Sequence, residues 1–202
     1  MRRLPSLLLL ASSLLSAPVG RAEGPTPSDP RAAALIASLG LKPLPGESGY
    51  LAVIGHSSLE VTVGGRTLPA HGRVYYLLTR ETPVNYLHWL APDDTHILIE
   101  GGPVDYYLFH PDGSVEVQRL GRDAKAGETI LVSNPGNSWK ALKLAPGASY
   151  ALMVNILTPE WTADRCVIGA GADWIARYAG KAPWATPSFL RELIGPNFKG
   201  SP

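Results

Sequence analysis

The chain is expected to be mainly β, an antiparallel sandwich or barrel, with a short helix before the strands and two more after them. Three observations predict this. From Gly49 onward about ten short runs rich in Val, Ile, Leu and Tyr follow one another. Gly, Pro, Asp or Asn stands between them, and Gly (21) and Pro (19) are abundant in the 202 residues. No helical stretch interrupts the runs, so neighbouring strands are read as joined by turns.

The elements follow in order. Residues 1–22, MRRLPSLLLLASSLLSAPVGRA, have Arg2 and Arg3, a short apolar stretch and small residues at the exit. This is the pattern of a secretory signal peptide, and it predicts a periplasmic or secreted product. The apolar stretch is too short to span a bilayer comfortably, so no membrane anchor is expected after cleavage. Residues 23–30 are a Pro-rich stretch expected to be a flexible spacer. In DPRAAALIASLG, Asp29 is placed to cap a helix with Pro30 at its first position, and Gly40 is placed to end it. Leu35, Ile36 and Leu39 form its apolar stripe. The strand runs are YLAVIGHS, SLEVTVGG, RVYYLLT, VNYLHWL, THILIEG, VDYYLFHPDG, SVEVQRLG, ETILVS, WKALKLA and SYALMVNIL. HPDGS is a hairpin turn in which Gly113 supplies the positive φ. After about residue 162, ADWIARYAG and PSFLRELIG predict two short helices, the second capped by Ser188 or a neighbour. Residues 31–202 therefore read as one domain with a C-terminal helical extension.

Composition narrows the function. Hydrophobic residues are 45% and charged residues 17%, which suits a packed core. The net charge is +1, and no basic run follows the first residues, which argues against a nucleic-acid partner. Cys166 is the single cysteine, so no intrachain disulfide can form. There is no GxSxG, no HExxH, no phosphate-binding loop and no dinucleotide fingerprint.

The most informative stretch is LHWLAPDDTHILIEGG, in which histidines flank a pair of aspartates in a turn between apolar runs. Asp94 and His96 are two residues apart and in a strand project to one face. By the same alternation Tyr86, His88 and Leu90 share a face, and Tyr76 shares one with Val74 and Leu78. Trp139 offers an indole face suited to stacking on a sugar or aromatic ligand.

The order LGLKPLPGESGY, RVYYLL, LHWLAPDDTHILIEGGPVDYYLFHPDG, LGRDAKAGETILVSNPGNSW, YALMVNILTPEW resembles the fifth cupin family of the cupin superfamily, from about Leu35 to Trp161. The resemblance implies a double-stranded β-helix, the jelly-roll barrel, usually dimeric, with a pocket in one barrel mouth. It also implies a comparison with the metal-binding cupin pattern of three His and one Glu. His88 stands at the first His position, Leu90 at the second, Asp94 at the Glu and Trp139 at the third His, with Gly101 at the closing Gly. Two of four ligand positions carry no suitable donor, so no metal and no cofactor is expected. Glu47 lies in the Pro-rich loop, shifted by one place from the family's Glu.

The expected function is binding of a small polar or carbohydrate-like molecule in the barrel of an exported homodimer. The candidate ligand-binding residues are Tyr76, Tyr86, His96 and Trp139. The alternative is a metal-independent sugar epimerase, isomerase or lyase, with His88 as base oriented by Asp94 and Tyr76 as acid. A second alternative, a metal-dependent oxygenase, requires His96 to act as a replacement ligand.

Overall fold

The computed structural model describes residues 24–200, and the leader expected at 1–22 lies outside them. Helix α1 (Pro30–Leu39) begins where Asp29 accepts the N–H groups of Arg31 and Ala32 and ends where Gly40 turns to φ 65°. Residues 24–29 have no regular secondary structure. The Tyr50 hydroxyl donates to the Pro25 carbonyl, and the Ser28 amide donates to Glu81 at 2.9 Å.

Thirteen strands follow among the described residues: β1 (Lys42–Pro43), β2 (Tyr50–His56), β3 (Glu60–Val63), β4 (Arg66–Pro69), β5 (Gly72–Thr79), β6 (Val84–Leu90), β7 (Asp93–Gly101), β8 (Val104–Phe109), β9 (Val115–Leu120), β10 (Leu131–Asn134), β11 (Ser138–Leu144), β12 (Tyr150–Thr158) and β13 (Cys166–Ile168). One sheet has the order β1-β2-β5-β12-β7-β10, the other β13-β6-β11-β8-β9, and β3 pairs with β4 in a separate hairpin. All these pairings are antiparallel. The two sheets face one another as a jelly-roll barrel, the expected fold. The three strands not anticipated, β1, β4 and β13, are two to four residues long. Two of them contain a proline, and none is long enough to show alternation.

Three apolar clusters hold the layers. Between the sheets, Tyr76, Leu78, Leu98, Tyr106, Leu142 and Met153 fill one end of the barrel. Leu35 of α1 packs with Leu41, Tyr50, Leu77 and Leu152 on the outside of the first sheet. Helices α2 (Ala172–Tyr178) and α3 (Pro187–Ile194) cover the outside of the second. There Trp174, Tyr178, Leu190, Leu193 and Ile194 meet Leu87, Phe109 and Ala141. Full burial of each such side chain contributes about 1.5–3 kcal/mol, which makes the C-terminal helices part of the fold rather than an appendage. Thr186, not Ser188, caps α3, accepting the Phe189 amide at 3.2 Å.

One irregularity governs the site. Between β6 and β11, Lys140 faces His88 but Leu142 already faces Asn85, so Tyr86 and Leu87 lie opposite Ala141 alone. This β-bulge breaks the alternation of β6. Leu87 joins the outer cluster, and Tyr86 turns to the same side, where its ring lies against Gly195. Asn85, His88 and Leu90 are left facing the barrel interior.

Gly101 closes β7 at φ 74°, and a Cβ there would stand 2.3 Å from the Tyr150 carbonyl oxygen. Gly101→Ala is therefore expected to destabilise the fold by about 3 kcal/mol or more, combining left-handed strain with a backbone clash. Urea denaturation checks this, and a loss below about 1 kcal/mol would mean that the β7–β12 junction can relax.

Candidate functional site

The open end of the barrel is a cavity of about 190 Å³. Leu44, Leu51, Val53, Val74, Leu157 and Trp161 form its apolar part. Polar groups converge from five places: Glu47 from the loop after β1, Asn85 and His88 from β6, Asp94 and His96 from β7, Lys140 from β11 and Asn155 from β12. The loop is tied down by backbone and side chain. The Tyr86 amide donates to the Glu47 carbonyl at 2.8 Å, and Asn85 Nδ2 lies 3.3 Å from both that carbonyl and Glu47 Oε2. Tyr76 lines the cavity and donates its hydroxyl to the Ser48 carbonyl at 2.8 Å.

Lys140 is the centre of the arrangement, 1% exposed. Its Nζ donates to Asp94 Oδ2 and lies 2.8 Å from His96 Nε2, which is itself 2.9 Å from Asp94 Oδ2. With the ammonium donating to Nε2, the His96 proton sits on Nδ1 and points at the Tyr106 hydroxyl 2.8 Å away. That hydroxyl in turn donates to Met153 Sδ at 3.1 Å, so the chain of donors ends in the core. Beside Lys140 on the neighbouring strand, His88 Nδ1 donates to the Tyr86 carbonyl at 2.8 Å, which leaves Nε2 facing Glu47 Oε2 at 3.7 Å.

Burial dominates the protonation of these groups. It pulls Lys140 down to about 7, against the opposing pull of the Glu47 carboxylate. It pulls His96 down to about 3, so this imidazole is neutral over the ordinary range. His88 is lowered too, first by burial, with Glu47 acting in the opposite sense. Desolvation likewise holds the Tyr76 hydroxyl protonated.

Of the residues expected from sequence, His88, Asp94, His96 and Tyr76 meet in this cavity. His88 is oriented by Glu47 and the Tyr86 carbonyl, whereas Asp94 serves Lys140 and His96. Two expectations are corrected. Tyr86 is carried out of the barrel by the bulge. Trp139 faces outward, packing edge-on against Trp174 of α2 with ring centroids 6.0 Å apart. Lys140 was missed. The signal lay in SWKALKL, where alternation puts Lys140 on the face of Leu142 and Leu144 and Trp139 on that of Ala141.

The sequence profile of the fifth cupin family, described as Cupin superfamily (DUF985), matches residues 33–168. The chain belongs to this cupin family. An uncharacterised protein of Saccharomyces cerevisiae is 30% identical over 120 residues, 58% of this chain and 59% of that relative's length. A hypothetical protein from Leishmania major superposes with TM-score 0.66 at 24% identity, covering 72% of this chain and 90% of its own. A protein from Shewanella oneidensis superposes with TM-score 0.68 at 19% identity, covering 79% and 94% respectively. These structural likenesses speak for the fold.

The cupin metal pattern does not fit the residues of this chain. Among the described residues no three His, Cys, Asp or Glu groups are arranged to hold an ion. The two donors that do converge, Asp94 Oδ2 and His96 Nε2, converge on the Lys140 ammonium. The Lys140 ammonium, itself a cation, thus occupies the point where these two donors would meet a divalent ion.

A depressed lysine pKa has a thermodynamic consequence. The unfolded chain holds the Lys140 proton up to about 10.5 and the folded chain releases it near 7. The unfolded state therefore binds more protons between these values, and stability rises with pH across that window. Between pH 7 and 8.5, below the point where Cys166 (raised to about 11 by burial) begins to oppose it, the gain is about 1–2 kcal/mol. Urea unfolding at both pH values should show this gain in the native protein and lose it in Lys140→Met. If that variant does not fold, Lys140→Met combined with Asp94→Asn carries the same test. An equal slope with and without Lys140 would rule the assignment out.

Proposed function

We propose that this chain is an exported cupin that binds a small, neutral, hydroxyl-rich molecule of carbohydrate type in the barrel cavity. The observation that carries this reading is a set of acceptors without donors. Asp94 Oδ1 and Asn155 Oδ1, both on cavity-lining side chains, are buried and receive no hydrogen bond from the protein. A buried acceptor left unpaired costs about 1–3 kcal/mol, and ligand hydroxyls are the groups that would supply the proton. Charge points the same way. Two carboxyl groups face one ammonium, and both imidazoles are held toward the neutral form, so no positive charge remains uncompensated to attract an anion. The volume, about 190 Å³, is below the ~300 Å³ at which pockets for drug-sized ligands begin.

A second reading is supported by the His88–Glu47 pair. A neutral imidazole with a free Nε2 beside a carboxyl group is a proton-transfer unit, and it suits a metal-independent epimerase, isomerase or lyase. Glu47 takes the part first assigned to Asp94.

A panel of neutral monosaccharides and small polyols, with their phosphorylated counterparts, tests the binding reading by titration calorimetry. Neutral members should bind and phosphates should not. His88→Ala should weaken binding by about tenfold or more. Trp139→Ala should lower the melting temperature yet keep the affinity within about twofold, because the indole lies outside the cavity. Binding confined to the phosphates, or indifference to His88→Ala, would sink the reading.

Export and pairing complete the proposal. The leader pattern at 1–22 supports secretion, and exposed Val53 and Ile54 on β2 support a homodimer through that strand. Protein recovered from the periplasm or medium of a bacterial host should have the mass of a chain cleaved near Ala22 and should sediment as a dimer. A full-length cytoplasmic monomer at micromolar concentration contradicts both parts.

A further inference from the structure

Of the six lysines in the chain, Lys42, Lys125, Lys181 and Lys199 are exposed, and Lys143 reaches Glu192 at 2.6 Å in a partly exposed pair. Lys140 alone is buried, and its side chain lines the cavity. A positively charged side chain needs neither two separate proton acceptors nor a cavity merely to make an ion pair. Here Nζ has both acceptors, Asp94 Oδ2 and His96 Nε2, on a side chain that lines the cavity. A second proton-handling pair, His88 with Glu47, stands next to Lys140, because His88 is its cross-strand neighbour on β6. Amine, adjacent base and enclosed space are the requirements of covalent chemistry at a carbonyl carbon.

We propose that Lys140 Nζ is a nucleophile that forms a Schiff base with the carbonyl carbon of a small hydroxy aldehyde or hydroxy ketone. The proposal rests on the reading of the cavity as a site for neutral hydroxyl-rich ligands and names the reactive group of that ligand class. The balance is simple. The ammonium passes one proton to Asp94 Oδ2 or His96 Nε2, and the freed lone pair attacks the carbonyl carbon as the C=O π pair moves onto oxygen. The alkoxide takes a second proton from nitrogen, giving the neutral carbinolamine. The stored proton then returns to the hydroxyl, the C–O bond breaks, and water leaves as nitrogen closes the double bond. Two of the three ammonium protons depart with the carbonyl oxygen, the iminium keeps the third, and nothing is oxidised or reduced. The iminium draws electrons from the neighbouring carbon, whose proton His88 Nε2 is placed to accept with Glu47 beside it. Both carboxyl groups and the absence of spare positive charge favour a neutral ketone over a keto acid.

Dihydroxyacetone is the probe, with pyruvate as the charged control, each added to the whole protein with sodium borohydride to fix an imine as a stable secondary amine. Intact mass and peptide mapping then locate the adduct, a gain of the probe plus two hydrogens less one water. The expected result is preferential labelling of Lys140 by dihydroxyacetone over the five other lysines, with little labelling by pyruvate. Lys140→Arg, which keeps a cation opposite Asp94, should lose that adduct while circular dichroism stays native. The wild-type map needs no variant, so a misfolded Lys140→Arg does not spoil the test. A calorimetric titration with dihydroxyacetone runs in parallel. Binding without a Lys140 adduct overturns the covalent step and leaves the cavity reading standing. Neither binding nor adduct, while monosaccharides bind, overturns the choice of carbonyl class. Neither, with the whole panel also unbound, overturns the cavity reading on which the proposal rests.

Discussion

Lys140, Asp94 and His96 meet inside the barrel with almost no contact with solvent, and the polar half of the structure is arranged around that meeting. A buried charge persists only if it is paired and its remaining hydrogen-bonding groups are satisfied. Each strand answers a part of that demand. β7 supplies Asp94 and His96 two residues apart, β11 delivers the ammonium from across the barrel, and Tyr106 of β8 takes the outer nitrogen of His96 and passes the chain on to Met153. Removing Lys140 or Asp94 leaves the other's charge uncompensated, whereas the apolar core around Leu98, Leu142 and Met153 could tolerate a change of shape. The polar cluster therefore constrains register more tightly than the hydrophobic layers do.

The bulge in β6 is what makes room for the second polar pair. Without it, period-two alternation would send Tyr86 into the barrel, where its ring would compete with Glu47 for the space beside His88. With it, Tyr86 contributes only backbone to the site: its carbonyl fixes the His88 tautomer and its amide holds the Glu47 loop. The aromatic ring is spent outside, beneath the turn at Gly195 that follows α3. The C-terminal helices, packed on the same outer face, thus bear on the geometry of His88 through one strand thickness.

Most of the fold was legible in the sequence because it rests on local signals. Asp29, Pro30 and Gly40 bound α1 by capping chemistry alone, and the ten anticipated strands announce themselves by composition and turns. The site was legible only where alternation runs unbroken. Asp94 and His96 share a face because β7 is regular there, and Tyr76 follows for the same reason in β5. Tyr86 was misplaced because a bulge leaves no mark in a single sequence. Trp139 differs: the spacing of the family pattern points to it, whereas the side-chain period of SWKALKL turns it outward and puts the adjacent Lys140 inside. Glu47 could not have been paired with His88 from sequence, since the two meet only through a loop folded across the barrel mouth.

The presence of a lysine ammonium at the point where Asp94 and His96 converge has a consequence for how the site's positive charge is supplied. A metallocentre is filled by exchange with its surroundings, so its occupancy follows the ion supply and competition of the compartment. A cation carried on the chain is delivered by translation at one per molecule. No chelator can strip it and no competing ion can displace it. The same tether removes freedom of another kind, because the site's charge cannot be retuned by swapping one ion for another. It changes through proton uptake and release at the site's own side chains, or through mutation.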